Sequence, residues 1–368
     1  MTRPGWAARA GLPEFPWDRL APYAAAARQH PDGIVDLSIG TPVDPTPAVV
    51  QQALRRAADA PGYPTAAATP QLRDAVIGWV GRRLGAEVTE VVPTIGSKEL
   101  VSLLPSLLGI APGATVLIPR LAYPTYDVGA RLAGCRPVPT DDPTSHDPAD
   151  VALVWLNSPG NPTGRVLSVD ELAATVAWAR RHGILVASDE CYVELGWESE
   201  PVSVLHPDVC GSSPEGVLAL HSLSKRSNLA GYRAGFAAGD PAAVAAIVEA
   251  RKHIGLLVPT PVQAALVAAL GDDAHVAAQK ERYRSRRTVL LRGASDAGLV
   301  VTHSEAGLYL WATRDEDCWT TVQWLAERGI LAAPGAFYGD AGTRHVRLAL
   351  TASDERVGAA AARLRSAA

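Results

Sequence analysis

The sequence predicts an α/β protein: a large, doubly wound domain around a mostly parallel sheet, followed by a smaller α+β domain. Three observations carry this expectation. Short β-branched runs alternate with helical patterns through most of the chain, which implies right-handed βαβ units. One long charged segment, Asp272–Asp296, interrupts the alternation. Beyond it, Leu299–Ala368 carries strands of its own and an Ala-rich closing helix. With 368 residues the chain is long enough for two ordinary domains or one large one. The expected division is 46–280 for the large domain, and 1–45 together with 281–368 for the small one.

The individual elements follow from local patterns. Val91–Ile95, Thr115–Pro119, Val151–Leu156, Ile184–Ser188, Val217–His221 and His345–Leu350 read as buried strands. Ser168–His182 reads as a helix. Ser168 is its N-cap, Glu171 completes a capping box, Leu172, Val176 and Ala179 form the apolar stripe, and Gly183 stops it. Asp272–Asp296, with Arg and Glu on its exposed face, reads as a helix that bridges the two domains.

Composition narrows the function classes. Hydrophobic residues make up 48 % and charged residues 20 %, which excludes a disordered chain or a rod. The 34 Lys+Arg against 38 Asp+Glu argue against nucleic acid as a partner, because backbone phosphates demand a basic excess. Cys135, Cys191, Cys210 and Cys318 are widely spaced with no CxxC, so free thiols in a reducing compartment are expected. No two of the nine histidines stand three or four apart, and no metal is expected. Met1–Pro31 lacks the continuous apolar run of a signal peptide. Val101–Pro119 and Ile254–Gly271 are uncharged but interrupted by prolines, so they fit buried elements better than membrane spans. The expectation is a cytoplasmic protein without a membrane partner.

In open α/β sheets, ligands sit beyond the carboxyl ends of the strands. The residues at those ends are polar and specific. Gly96-Ser97-Lys98-Glu99 follows the first strand and opens a helix. Asn157-Ser158-Pro159-Gly160-Asn161-Pro162-Thr163-Gly164 follows the third, Asp189-Glu190-Cys191-Tyr192 the fourth, and Ser222-Leu223-Ser224-Lys225 the fifth, with Arg233 eight residues beyond Lys225. Singly, each has a plain structural reading: a helix start, a turn, a cap, a solvated charge. Together, a lysine, an acid and an anion pocket at adjacent strand ends are the parts that hold pyridoxal 5′-phosphate. Lysine is scarce, with Lys98, Lys225, Lys252 and Lys280 against 30 arginines.

Asn161-Pro162-Thr163-Gly164, Asp189-x-x-Tyr192, Ser222-x-Ser224-Lys225 and Arg233 occur in the order and spacing of a known family. Over nearly its whole length the sequence resembles the class I/II, fold-type I pyridoxal-phosphate aminotransferases. The resemblance implies that Lys225 is the Schiff-base lysine and proton shuttle, and that Asp189 pairs with the pyridine nitrogen. It gives Asn161 and Tyr192 the ring's phenolic oxygen, and Ser97, the Lys98 amide, Ser222 and Arg233 the phosphate. Tyr123 matches the aromatic that stacks on the ring, Arg347 the arginine that grips the substrate α-carboxylate, and Gly40 a backbone group near that carboxylate. Tyr63 resembles the residue that reaches the phosphate of a neighbouring subunit, which implies a homodimer with shared active sites. Ala68 stands where the family usually has glycine; if that backbone needs φ > 0, alanine there costs roughly 1 kcal/mol of strain.

Other readings are weaker. Ser222-x-x-Lys225 also matches the β-lactamase nucleophile motif, but no lysine is followed by Thr-Gly. The sensor half of a transcription regulator would need a DNA-binding domain ahead of the large domain, where only about 45 residues stand. A C–S β-lyase can use the same site. Longer stretches, including Phe15-Pro16-Trp17-Asp18, Asp32-Gly33-Ile34-Val35-Asp36-Leu37, Pro201–Pro207 and Ser224–Arg233, resemble the N-succinyl-LL-diaminopimelate aminotransferases. That implies small-molecule amino and oxo acids as substrates: transfer between glutamate/2-oxoglutarate and N-succinyl-LL-2,6-diaminopimelate, in lysine and diaminopimelate biosynthesis. A broad-range aspartate or alanine aminotransferase is the alternative.

Overall fold

A computed structural model describes residues 12–366. Trp6 and the start of the N-terminal stretch lie outside the described residues, as do Ala367 and Ala368. The large sheet has seven strands: β1 (Val91–Ile95), β2 (Thr115–Ile118), β3 (Arg136–Pro139), β4 (Val151–Asn157), β5 (Leu185–Asp189), β6 (Val217–Ser222) and β7 (Ala234–Gly239). Their spatial order is β1-β7-β6-β5-β4-β2-β3. Only β7 runs antiparallel to its neighbours. Its reversal has a consequence for the site: the residue entering β7, Arg233, emerges at the edge where the other strands end.

Helices cover both faces, among them α1 (Gly96–Leu107), α2 (Thr125–Leu132), α3 (Val169–Arg181) and α4 (Pro241–Ile254). The alternation of strand side chains divides the core in two. Val186, Val217, Ala219 and Phe236 pack with Trp79 and Val176 on one face. Ala187, Leu218 and Leu220 pack with Leu100, Tyr126 and Trp155 on the other. The capping box of α3 forms as expected: Ser168 Oγ accepts the Glu171 N–H at 3.2 Å and Glu171 Oε2 accepts the Ser168 N–H at 2.8 Å.

Beyond the large sheet, α5 (Asp273–Asp296) and α6 (Asp354–Arg365) pack against a four-stranded antiparallel sheet. Its strands are β8 (Val300–His303), β9 (Tyr309–Thr313), β10 (Ala333–Pro334) and β11 (Val346–Ala349), in the order β10-β11-β9-β8. The α5–α6 crossing is close enough that a Cβ on Gly293 would stand 2.7 Å from the Ala361 Cα. Leu20, Val35 and Leu37 from the N-terminal region join this second core. The two uncharged stretches resolve into shorter elements, and among the described residues no helix is long and apolar enough to cross a membrane.

One difference from the expected strand boundaries is systematic. Strands β4, β5 and β6 each run one residue further, to Asn157, Asp189 and Ser222. A hydrophobic run ends at the last apolar side chain, whereas the ladder pairs backbone groups irrespective of side chain. Asn157 stands in register with Asp189, and Ser222 with Gly235. The polar residues are therefore held on the sheet itself rather than on loops.

Candidate active site

Where β1 turns into α1, the chain gathers donors for an anion. Helix α1 starts at Gly96, whose φ of +67° suits glycine, and no side chain caps its N-terminus. The Gly96 N–H donates to the Arg233 carbonyl at 2.8 Å, and a Cβ on Gly96 would stand 2.4 Å from Arg233 Nη2. Arg233, itself left-handed at φ +54°, donates from Nη1 to the Ala230 carbonyl at 2.9 Å. Among the described residues its guanidinium has no carboxylate partner. Ser97 follows in the same turn, and its Oγ accepts from Cys191 Sγ at 3.1 Å. Ser222 Oγ lies 2.9 Å from Ser224 Oγ, and Ser222 reaches this region because its register partner Gly235 packs on Gly96.

The end of β5 is acidic. Asp189 is buried, and its carboxylate accepts from Tyr126 Oη at 3.0 Å and from the Cys191 N–H at 3.2 Å. Both donors are neutral. Burial pushes the Asp189 carboxyl up, and the hydrogen bonds of Cys191 and Tyr126 only partly offset it. Tyr126 is fixed in turn by stacking on Trp155, with ring centroids 5.0 Å apart.

Lys225 and Arg347 complete the set of charged groups. Lys225 Nζ donates to the Gly40 carbonyl, and burial pushes its proton affinity down. Tyr283 Oη donates to the Lys225 carbonyl at 3.1 Å, tying that turn to α5. Arg347 is buried on β11, donating to Asn161 Oδ1 at 2.8 Å and to the Ser38 carbonyl at 2.6 Å. Its guanidinium lies 4.0 Å from the Tyr309 ring centroid, and its Nε has no partner among the described residues. Asn161 is held from behind by Asn157, which accepts the Asn161 N–H at 2.7 Å and donates to the Asp189 carbonyl at 2.8 Å. Tyr192 Oη meets Tyr309 Oη at 3.0 Å. Gly40 tolerates no side chain, since a Cβ would stand 2.4 Å from that same Tyr309 hydroxyl.

Tyr123 flanks the cleft edge-on to Tyr126, and Lys98 Nζ lies 5.9 Å from its ring centroid and 5.7 Å from that of Phe15. Tyr63 does not join the cluster: its side chain is 99 % exposed. Ala68 carries no left-handed strain, because it is not among the residues with positive φ, and its side chain packs on the core. The alanine thus takes the place of glycine without the conditional cost.

Sequence reasoning misses Tyr126, Tyr309 and Ser38. Tyr126 has a signal, since it stands one helical turn from Tyr123 with its ring beside the end of β5. Tyr309 and Ser38 have none, because each reaches the site from outside the large sheet, Tyr309 from β9 and Ser38 from the N-terminal segment.

The family profile described as "Aminotransferase class I and II" matches residues 32–364. The chain is 59 % identical to the 4-dedimethylamino-4-oxo-anhydrotetracycline transaminase OxyQ of Streptomyces rimosus, covering 96 % of this chain and 99 % of that one. It is 34 % identical to the LL-diaminopimelate aminotransferase of Desulforudis audaxviator, covering 96 % and 95 %. The solved structure of a probable N-succinyldiaminopimelate aminotransferase from Thermus thermophilus superposes with a TM-score of 0.87 at 30 % identity, covering 96 % of this chain and all of that one. The chain therefore belongs to the class I and II aminotransferases, enzymes of fold type I that depend on pyridoxal 5′-phosphate.

Proposed function

We propose that the protein transfers an amino group between glutamate and N-succinyl-2-amino-6-oxopimelate. One observation carries the assignment of the site: an anion-donor group (Ser97, Ser222, Arg233) and the buried acid Asp189 meet at the carboxyl edge of one sheet, joined through Cys191, which contacts both Ser97 and Asp189, with Lys225 on the turn that follows Ser222. Pyridoxal 5′-phosphate has the matching polarity, a dianionic phosphate at one end and a basic ring nitrogen at the other. In this reading Ser97, the Lys98 amide, Ser222 and Arg233 hold the phosphate. Asp189 holds the ring nitrogen protonated, Asn161 and Tyr192 hold the phenolic oxygen, and Tyr123 covers a ring face.

When bound, the cofactor supplies a sink for the electron pair left as the substrate α-proton departs. The protein's own groups do the rest. Lys225 would hold the cofactor through its amine, and that amine, once free, would take the proton from the substrate α-carbon and return it to the adjacent carbon of the cofactor. Its lowered proton affinity favours the free amine that this needs. Arg347 binds the α-carboxylate near the Gly40 backbone, with Asn161 fixing the guanidinium.

The Thermus thermophilus structure supports the succinylated substrate, and the Desulforudis audaxviator enzyme, named for LL-diaminopimelate itself, supports its carbon skeleton. A third support is Lys98, a cation at the edge of the cleft without a carboxylate partner among the described residues. It suits the distal acidic groups of a succinylated diacid. A second reading is favoured by the 59 % identity to OxyQ: amination of a ring ketone on a polycyclic acceptor. Specificity constants decide. The proposal expects kcat/KM for N-succinyl-LL-diaminopimelate, with 2-oxoglutarate as acceptor, to exceed those for aspartate and alanine. A tenfold preference for aspartate or alanine, about 1.4 kcal/mol in transition-state binding, contradicts it. Glutamate-dependent amination of a 4-oxo-anhydrotetracycline, with no turnover of the succinylated diacid, gives the second reading. Release of ammonia and pyruvate marks a β-lyase.

Two further parts belong to this proposal. The active unit is a homodimer in which Tyr63 crosses to the partner's phosphate, supported by the complete exposure of that large side chain. Mixing Lys225→Ala chains with Tyr63→Phe chains should then restore activity, because one site per mixed dimer carries neither change. The division into 46–280 and the remainder is supported by the core that joins Leu20, Val35 and Leu37 to Tyr283, Leu348 and Val357.

A further inference from the structure

The turn that opens α1 contains a conflict of charge. Its free amides and Arg233 favour an anion, yet Glu99 stands in the same first turn. The Glu99 side chain is only 12 % exposed, and Oε2 accepts the Ile95 N–H at 3.3 Å, immediately before Gly96 and Ser97. An unopposed carboxylate there would repel a phosphate held by the adjacent amides. Arg251 opposes it. This residue, from the last turn of α4 and 1 % exposed, donates from Nη2 to both Glu99 oxygens at 2.9 and 2.7 Å. Its Nη1 donates to the Pro93 carbonyl on β1 at 2.6 Å, so the guanidinium is braced against the strand that leads into the turn. Burial pushes the Glu99 carboxyl up, and the charge of Arg251 works against that shift.

We propose that Arg251 is a positioning residue for the cofactor's phosphate: by neutralising Glu99 and locking it onto the Ile95 N–H, it keeps the first turn of α1 shaped and charged for a dianion. The inference rests on the reading that this turn holds the phosphate of pyridoxal 5′-phosphate. Arg251 acts through Glu99 and the turn, and 152 residues separate the pair in sequence.

The test compares two probes on the full-length apoenzyme: pyridoxal 5′-phosphate and pyridoxal, which lacks the phosphate. The ratio of their dissociation constants isolates the phosphate's contribution, which a general loss of folding does not alter. In the wild type, pyridoxal 5′-phosphate should bind far more tightly than pyridoxal; equal affinities would refute the phosphate site itself, a failure distinct from that of Arg251. Arg251→Gln should lower the ratio about tenfold, equivalent to about 1.4 kcal/mol, with pyridoxal affinity within twofold of wild type. Adding Glu99→Gln removes the unopposed charge, so the double variant should recover at least threefold of that loss. An unchanged ratio in Arg251→Gln, an equal fall for both probes, or a double variant no better than the single one overturns the proposal. If Arg251→Gln does not fold, Glu99→Gln alone decides. Glutamine still offers an acceptor to the Ile95 N–H, so the ratio should hold or rise, and a fall overturns the proposal.

Discussion

Asp189 and Glu190 are sequence neighbours, both acidic and both buried, yet they face opposite sides of the large sheet. Asp189 looks into the cleft, where Tyr126 and the Cys191 N–H hold its carboxylate. Glu190 looks the other way. One of its oxygens accepts the Val204 N–H at 2.7 Å and the other lies 3.6 Å from His221 Nε2, under Trp79. The same alternation separates Ser222, in the cleft, from His221 behind it. Burial pushes Glu190 up to about 7 and His221 down to about 3, so both are held neutral near pH 6. Burial and acidity therefore do not identify a catalytic acid. What separates the two carboxyls is the face, and with it the partners each one meets: Tyr126 and the Cys191 N–H for Asp189, the Val204 N–H and His221 for Glu190.

Breaking the cleft side should cost activity in a graded order. Lys225→Ala removes both the covalent anchor and the proton carrier, so turnover should fall by at least about 10⁴-fold, measured as oxo acid released per active site. Asp189→Asn should come next. The neutral amide cannot keep the ring nitrogen protonated, and kcat should fall by about two decades or more, a loss of roughly 3 kcal/mol, while the circular dichroism spectrum stays unchanged. Arg347→Ala removes a charge-assisted contact worth roughly 1.5–3 kcal/mol, or about one to two decades in kcat/KM, with cofactor affinity retained. Tyr126→Phe deletes one hydrogen bond to a carboxylate, worth about 1.5 kcal/mol, and should lower kcat about tenfold.

The rear side should behave in the opposite way. Glu190→Gln keeps an acceptor for the Val204 N–H and should change kcat by less than twofold. Its effect belongs to stability. Glu190 holds its proton more tightly folded than unfolded, so its contribution is complete below its ordinary value of 4.5 and is lost as pH rises through about 7. Across that range the advantage of Glu190→Gln over the wild type should grow to about 3 kcal/mol, read by urea unfolding of the apoprotein. His221 works in the opposite sense, losing its contribution as pH falls from 6.5 toward 3, which is why the difference between variant and wild type is the quantity to follow. A large loss of kcat in Glu190→Gln would erase the distinction between the two faces.

The cleft's strand-end residues are legible in the sequence because each sits on a short motif directly after a hydrophobic run. Local pattern alone therefore puts Lys225, Asp189 and Asn161 just after strand ends, whereas Arg233, which precedes β7, is placed only by its spacing from Lys225. The residues that support them are not legible in this way. Tyr309, Ser38, Arg251 and Trp155 reach their partners across sheets and helices, and no local spacing encodes such contacts. Strands β4, β5 and β6 end one polar residue beyond their hydrophobic runs, since hydrophobicity fades before the ladder does. The conditional strain at Ala68 does not arise, because the chain passes that point without a positive φ.

Whether the two poles of the cleft hold pyridoxal 5′-phosphate, with Lys225 bonded to it, is tested most directly by borohydride reduction of the purified native protein followed by peptide mass mapping. The expected result is a single pyridoxyl-phosphate adduct on Lys225, absent from the Lys225→Ala variant. An adduct on Lys98, Lys252 or Lys280 in place of Lys225, or reconstituted protein that takes up no cofactor, would contradict it.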